Sequence, residues 1–444
     1  MIQTLKNAWK VPELKKKLLF TLLIIVLYRL GANIPVPFIN SEMMSIFAEQ
    51  TAGSLFQYMS LLSGDAFTNG TLFALGVSPY ITASIVVQLL TIAIPALERW
   101  AKDGEAGKKK LTTLTRWVTV ALALVTSYGF ATLLDAGYNG NSYLTASGQT
   151  FFGKVVIIAC FCAGAALVMW LAEKVNEFGI GNGISIILFA NIISRATALL
   201  GTVWAMTFTK TSANNVFAGF SWLGLVKSIL SIAITIAIVY LIVWFTESER
   251  RIPIQYAKRQ VGRKMYGGQT SNLPLKMNMA GVMPIIFASS IVSIPATIAG
   301  FIKNHDNWFY KFVENWFSAA TWPYLIVYIV LIFLFSYFYI MISFNPVEVS
   351  NNIRSQGGSV PGIRPGKPTS DYITRILNRI TTIGAVFLAF IAGFPMLINL
   401  CFKGSFAGLA FGGSSLLIVV GVALETFRAL ESQLAMRNYK GFLD

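Results

Sequence analysis

Residues 76–84 read GVSPYITAS, and residues 281–290 read GVMPIIFASS. Both stretches lie in apolar runs of membrane-crossing length. In each, glycine stands three positions before a proline. Isoleucine follows that proline by two positions, alanine by four and serine by five. A proline inside a helix removes a backbone donor and tilts the chain. The carbonyls it frees cannot face lipid, so they must face water or other protein. The two stretches therefore predict a matched pair of interrupted spans.

The surrounding chain supports a membrane setting. Of 444 residues, 55% are hydrophobic and only 12% are charged. That charge content is about half of the ~25% usual in soluble domains. The mean hydropathy is +0.64. Apolar runs fall at 18–37, 71–95, 114–136, 154–172, 183–203, 222–245, 279–302, 322–343, 376–400 and 411–430. A helical crossing needs about 20 apolar residues, and lipid forces the backbone to satisfy its own hydrogen bonds. The predicted class is an all-α polytopic membrane protein with ten transmembrane helices. The repeated stretches occupy runs two and seven, the second run of each five. Five spans per half make the halves enter the membrane from opposite sides, and interrupted spans at matching places point to a site where inverted halves meet. The division expected is 1–203 and 204–444.

Charge sets the orientation. Lys and Arg number five before the first run, six at 97–116, one at 172–182, seven at 246–278, five at 344–380 and three after 424. These are 27 of the chain's 35, whereas 38–70 holds none. Both termini and the bulk of the +16 net charge are thus expected on the cytoplasmic side. Two segments there, 247–278 and 345–372, are far longer than the ~2–8 residues a helix connection needs. Basic loops of that size suit an acidic partner, such as phosphate-rich RNA or an acidic protein surface. The N-terminal residues suit either a short interfacial helix or a flexible basic tail. The first run has no small-residue cleavage site after it, so it reads as a span and not a cleaved signal.

Several chemistries are unsupported. Cys160 and Cys162 sit two apart in an apolar run and read as small apolar fillers. His305 has no ligand partners near it in sequence. GEAGKKK has the wrong glycine spacing for a nucleotide loop, and GIGNGISI follows no strand and suits close helix packing. Asp and Glu are nearly absent from the span interiors: Glu173, Glu177 and Glu425 fall near cytoplasmic ends and Asp135 near an outer end. Ion-coupled carriers normally keep such groups at mid-membrane. A solute carrier with inverted repeats is the competing class, and the oversized basic loops count against it.

The chain resembles the bacterial SecY family, the channel subunit of the Sec protein translocase. The resemblance runs over essentially the whole length. It is most specific in TLFALGVSPYITASIVVQLL, in GIGNGISI, in the run from Arg250 through GVMPIIFASSI, and in VPGIRPG with TSDYI after it. The tail RNYKGFLD is similar to that of Gram-positive members.

The resemblance implies ten spans in two pseudo-symmetric halves around an hourglass pore, with no enzymatic activity and no cofactor. It implies a pore ring of Ile81, Ile85, Ile184, Leu188, Met283, Ile286 and Ile418, Met283 departing from the branched aliphatic usual there. An apolar ring excludes ions by dewetting and gives a moving chain nothing to bond. It implies a plug in residues 56–70, including Tyr58, Leu61, Leu62, Gly64, Asp65 and Phe67. It places a lateral gate on the helices carrying Gly76, Pro79, Gly281 and Pro284. It implies contact with the SecA motor ATPase or the ribosome through Arg364, Arg250, Arg251, Lys258, Arg259, Arg263 and Lys264. Further partners implied are the SecE and SecG subunits, signal sequences, nascent polypeptides and membrane lipid, in a bacterial cytoplasmic membrane.

Overall fold

The computed structural model describes residues 2–40, 43–44, 46–47, 60, 63–137, 142–194, 208–210, 217–220, 222–256, 259–261, 264–266, 270–299, 308–317, 321–402 and 413–440. It opens with α1 (Ile2–Lys10) and α2 (Pro12–Gly31). Of the two readings of the N-terminus, the helix is the one observed. Its Ala8 is buried with Leu14, Ile180 and Leu430, so α1 is tied down on α2 and on the last helix.

After a stretch of turns come α3 (Ser78–Ala93), α4 (Pro95–Lys102) and α5 (Gly104–Ala136). Pro95 holds Ile94 in an extended conformation, and α3 and α4 meet at 103°. Next are α6 (Phe151–Phe178) and α7 (Gly183–Ser194), a short hairpin β1 (Phe208–Lys210) and β2 (Phe217–Phe220), and α8 (Trp222–Glu247). The pair α5 and α6 is bridged near each end. Arg116 meets Glu173 at 2.8 Å, and Lys154 meets Asp135 at 2.8 Å. Cys160 and Cys162 are half-buried thiols packed against the aromatic cluster of this half, as apolar fillers would be.

The strands β3 (Glu249–Tyr256), β4 (Arg259–Val261), β5 (Lys264–Tyr266) and β6 (Thr270–Lys276) follow. Then come α9 (Met283–Ala299), α10 (Trp308–Phe317), α11 (Trp322–Ser343), α12 (Pro346–Ser355), β7 (Gly358–Ser359), α13 (Lys367–Phe402) and α14 (Gly413–Lys440).

Each of the ten apolar runs thus carries a helix. Among the described residues, five helices are individually long and apolar enough to cross a membrane, and the bent pair α3–α4 makes a sixth. α7 and α9 are shorter apolar helices. The outward faces are what lipid requires. On α8, Val226, Ile229, Ile236 and Tyr240 are each more than half exposed. On α11, Ile326, Val330 and Leu334 stand out at every fourth position. In water, apolar patches of that extent mark an interaction surface.

One large core joins the two halves. It includes Ile24 and Tyr28 of α2, Val168 of α6, Ile242 of α8, Phe335 of α11, Leu388 of α13 and Leu417 of α14. A second, aromatic core lies within the first half around Phe47, Phe67, Phe130, Tyr143 and Phe161.

The structure departs from the expected bent spans. Pro79 and Pro284 do not interrupt helices; each occupies the second position of one. Gly76 has φ +54° and Gly281 has φ +62°. Two residues later the helix begins, at Ser78 in α3 and at Met283 in α9. The first turn of a helix has no intrahelical use for its N–H groups, so proline costs nothing there. Positive φ favours glycine. Around Gly281 nothing lies within 4 Å of an added Cβ, so backbone conformation, not space, calls for glycine there. Prolines do lie inside other helical stretches, Pro295 in α9 and Pro395 in α13.

Candidate functional site

The aliphatic residues singled out in sequence come from four helices. Ile81 and Ile85 are one turn apart on α3. Ile184 and Leu188 are one turn apart on α7. Met283 and Ile286 share a face of α9 by their i, i+3 spacing, and Ile418 lies on α14. The fold brings all seven to the central core. Ile81, Ile85, Leu188, Ile286 and Ile418 are at most 3% exposed, and Ile184 and Met283 pack against the same cluster. Ile81 and Ile286 each stand two residues after the proline in the first turn of their helix.

The helices of the expected gate touch. α3 packs directly against α9, and α5 also reaches α9. Gly76, Pro79, Gly281 and Pro284 sit where these helices begin. Hydroxyls on both helices bond back to their own turns: Thr82 to the Ser78 carbonyl at 3.1 Å, and Ser290 to the Ile286 carbonyl at 2.8 Å. That pattern spares a seam the cost of an unsatisfied polar group.

Of the expected plug residues, Tyr58, Leu61 and Leu62 lie outside the described residues. Gly64, Asp65 and Phe67 belong to a run of tight turns ending at Gly70. Gly64 (φ +62°) and Asp65 (φ +71°) are consecutive left-handed residues. The Asp65 carbonyl accepts from the Thr68 hydroxyl at 3.0 Å, and the Phe67 N–H donates to the Ser63 hydroxyl at 3.0 Å. Phe67 is buried and stacks on Phe130 of α5, ring centroids 4.4 Å apart.

The segment rests on a polar seat that sequence reasoning missed. An added Cβ on Gly64 would stand 3.1 Å from the Cα and carbonyl oxygen of Asn191 in α7. Asn191 donates to the Tyr28 hydroxyl at 2.9 Å. Arg29 donates to the Ala190 carbonyl and lies within electrostatic reach of Asp65. The signal was available: Asn191 is a polar residue inside the apolar run of α7, and such residues usually mark function.

We expect Gly64→Ala to raise the resting ion conductance of the reconstituted protein. A left-handed alanine costs about 1–2 kcal/mol, and Asn191 must also give way. A loss of that size shifts a two-state balance by roughly 5- to 30-fold. Conductance equal to that of the parent protein would remove Gly64 from the seal.

At the basic end of the molecule, the two oversized segments fold together. β3 pairs antiparallel with β6 from Glu249↔Lys276 to Gln255↔Thr270. β7, from the other segment, adds to the free edge of β3 through Gln255↔Ser359 and Tyr256↔Gly358. The alternation of Ile252, Ile254, Leu273 and Leu275 gives the sheet one apolar face. It packs with Ile353, Val360, Ile373 and Leu377. The expectation of large loops is therefore refined: they form a sheet seated on α12 and α13.

Basic side chains decorate this unit. Arg250 and Arg251 are exposed on β3, Arg251 pairing with Glu249 at 2.6 Å. Arg259 and Lys264 lie on the hairpin β4–β5, which pairs Arg259↔Tyr266. Lys258 and Arg263 lie outside the described residues. Arg364 is exposed on a turn whose backbone is pinned. The Ile363 N–H donates to the Val360 carbonyl at 3.0 Å. The Arg364 carbonyl accepts from the Thr369 hydroxyl at 2.8 Å, and the Gly366 carbonyl from the Ser350 hydroxyl at 2.8 Å. Gly362 and Gly366 take φ +79° and +100°.

Below the sheet a cavity of about 300 Å³ is lined by Lys276, Gly281, Met283, Glu425 and Arg428, among others. It leads from the sheet to the first turn of α9. Burial, and then the nearby Arg428, push the Lys276 ammonium below the usual lysine range.

The SecY family model matches residues 71–427. The chain belongs to the SecY family. The protein translocase subunit SecY of Streptomyces coelicolor is 43% identical over 452 residues, covering all of both chains. Three solved structures share the fold at lower identity. One, described as a protein-conducting channel, has a TM-score of 0.63 at 18% identity and covers 96% of each chain. A second concerns the SecY plug domain as stabiliser of the closed channel and its membrane seal, with TM-score 0.61 at 18% identity and 96% of each chain covered. The third is Sec61 in the canine ribosome–channel complex, with TM-score 0.59 at 17% identity and again 96% of each.

Proposed function

We propose that this protein is the channel subunit of a bacterial protein translocase. It passes unfolded secretory chains across the cytoplasmic membrane and releases apolar segments sideways into lipid. The observation that carries the reading is the meeting of seven aliphatic side chains from α3, α7, α9 and α14 in one core, beside a turn-rich segment seated on α7. In this reading those seven residues form the constriction. Residues 56–70, with Gly64, Asp65 and Phe67 as anchors, form the plug, and the α3–α9 seam is the gate.

The halves are 1–203 and 204–444, supported by the identical glycine and proline geometry at the start of α3 and of α9. Both termini face the cytoplasm with the basic sheet, as the charge asymmetry requires. Arg364, Arg250, Arg251, Lys258, Arg259, Arg263 and Lys264 contact SecA or the ribosome. SecE and SecG complete the complex, and signal sequences and nascent polypeptides are its substrates. The reading assigns the chain no catalytic residue and no cofactor, because the work is done by the motor, the ribosome and partition. On insertion scales a central Leu gains about 0.3–0.6 kcal/mol and a central Arg or Asp loses about 2.5–3.5. Sorting by those differences needs only a door.

Reconstitution with SecE, SecG and SecA tests this. We expect ATP-dependent movement of a pre-protein into a protease-protected lumen, with stalled chains crosslinking to positions 85 and 286. Uptake of a small solute without SecA, and no protected pre-protein, would replace the channel by a carrier.

A further inference from the structure

The ten-residue helix α10 is strongly two-sided. Phe309, Val313 and Phe317 recur every fourth residue. Val313 is buried, and Phe317 packs against the central core. Trp308, Phe312 and Trp316 form the adjoining stripe, exposed by 76%, 38% and 49%. Their rings make a ladder, Trp308 on Phe312 at 5.7 Å and Phe312 on Trp316 at 5.8 Å, with interplanar angles of 21° and 22°. Lys311 and Asn315 are also exposed; Asn315 borders the ladder next to Trp308, and Lys311 lies further round, away from Phe312 and Trp316.

Half of the apolar arc is thus used by the protein, and half is a rigid aromatic surface facing outward. α10 packs on both α9 and α11. α11 begins at Trp322, itself 54% exposed, and carries its apolar outward face onward through Ile326 and Val330. The ladder therefore adjoins a lipid-facing surface. It lies at the end of α9 remote from the basic sheet, because α9 begins just after β6 and α10 follows its far end.

We propose that α10 lies flat in the lipid–water interface of the membrane leaflet opposite the basic sheet, with the Trp308–Phe312–Trp316 ladder sunk to the boundary of headgroups and acyl chains. Tryptophan is favoured at that depth because its ring is apolar with one polar edge. Amphipathic interfacial helices sink by about 5–10 Å, which matches a one-sided aromatic stripe with Asn315 at its border and Lys311 further toward water. The bilayer then holds the far end of α9 at a set depth. That last consequence rests on the gate reading, whereas the depth of α10 does not.

Single cysteines, Trp308→Cys, Phe312→Cys, Trp316→Cys and Lys311→Cys, test the depth. They are placed in a full chain whose Cys160, Cys162 and Cys401 are alanine, and labelled with an environment-sensitive fluorophore. The labelled chain, in complex with SecE and SecG, is reconstituted in phosphatidylethanolamine–phosphatidylglycerol vesicles. Lipids brominated near the carbonyl end should quench labels at 312 and 316 at least about twofold more than the label at 311, with 308 in between. Aqueous iodide should show the reverse order. Quenching of all four by iodide alone would overturn the proposal. So would protection of the ladder positions from both quenchers, which would mean a protein covers the face. Neither result depends on whether the chain translocates protein.

Discussion

Replacing Ile81, Ile85 and Ile286 together by glycine is expected to make the resting protein conduct ions across a planar bilayer. All three side chains are nearly fully buried in the core that joins the halves. Burying one such side chain contributes about 1.5–3 kcal/mol, so its removal weakens the closed state as well as opening space. An apolar constriction blocks ions because water does not wet it. Three glycines expose backbone dipoles and leave room for a continuous water column. Glycine also weakens helices by about 1 kcal/mol per site. A companion variant with leucine at the same three positions keeps the apolar volume and should stay tight. A silent bilayer with the glycine variant, still assembled with SecE, would take these residues out of the seal.

The second large effect is at Arg364. Arg364→Glu should lower SecA-driven export by roughly 30-fold while the protein folds and assembles as before. The side chain is exposed, and the turn beneath it is held by backbone contacts from Ser350, Thr369 and Val360 that the substitution leaves alone. Arginine hot spots at interfaces commonly cost 2 kcal/mol or more when removed, and about 2 kcal/mol is close to 30-fold. Reversing the charge adds repulsion from an acidic partner. Export at the parent rate would show that the turn is not where force is applied. Loss of the assembled complex would show that the residue matters for folding instead.

The sheet at the basic end gives this prediction its mechanical sense. β7 ends immediately before Val360, so the Arg364 turn is continuous with a strand hydrogen-bonded to β3. β3 in turn pairs with β6, which leads through Lys276 into the first turn of α9 at Met283. A push on the turn has a short, hydrogen-bonded route to α9, one of the two helices proposed to form the gate.

Much of this protein is determined by its sequence alone. The ten apolar runs follow from the hydrophobic cost of water, and the proposed direction of crossing rests on where lysine and arginine are concentrated. The duplicated Gly-x-x-Pro announced two equivalent positions, and those are local facts of composition and spacing. What the proline does there was decided by tertiary structure. A proline tilts a helix or starts one depending on whether the preceding turn is helical, and glycines at φ +54° and +62° settle that only once the surrounding helices fix the chain's entry. Residues 247–278 and 345–372 look like separate loops because strand pairing between them spans about a hundred residues, beyond the reach of any local pattern. The seat under Gly64 is likewise non-local: the adjacent Tyr28 and Arg29 are 163 and 162 positions from Asn191, and only the packing of α2 against α7 brings them together beneath Gly64.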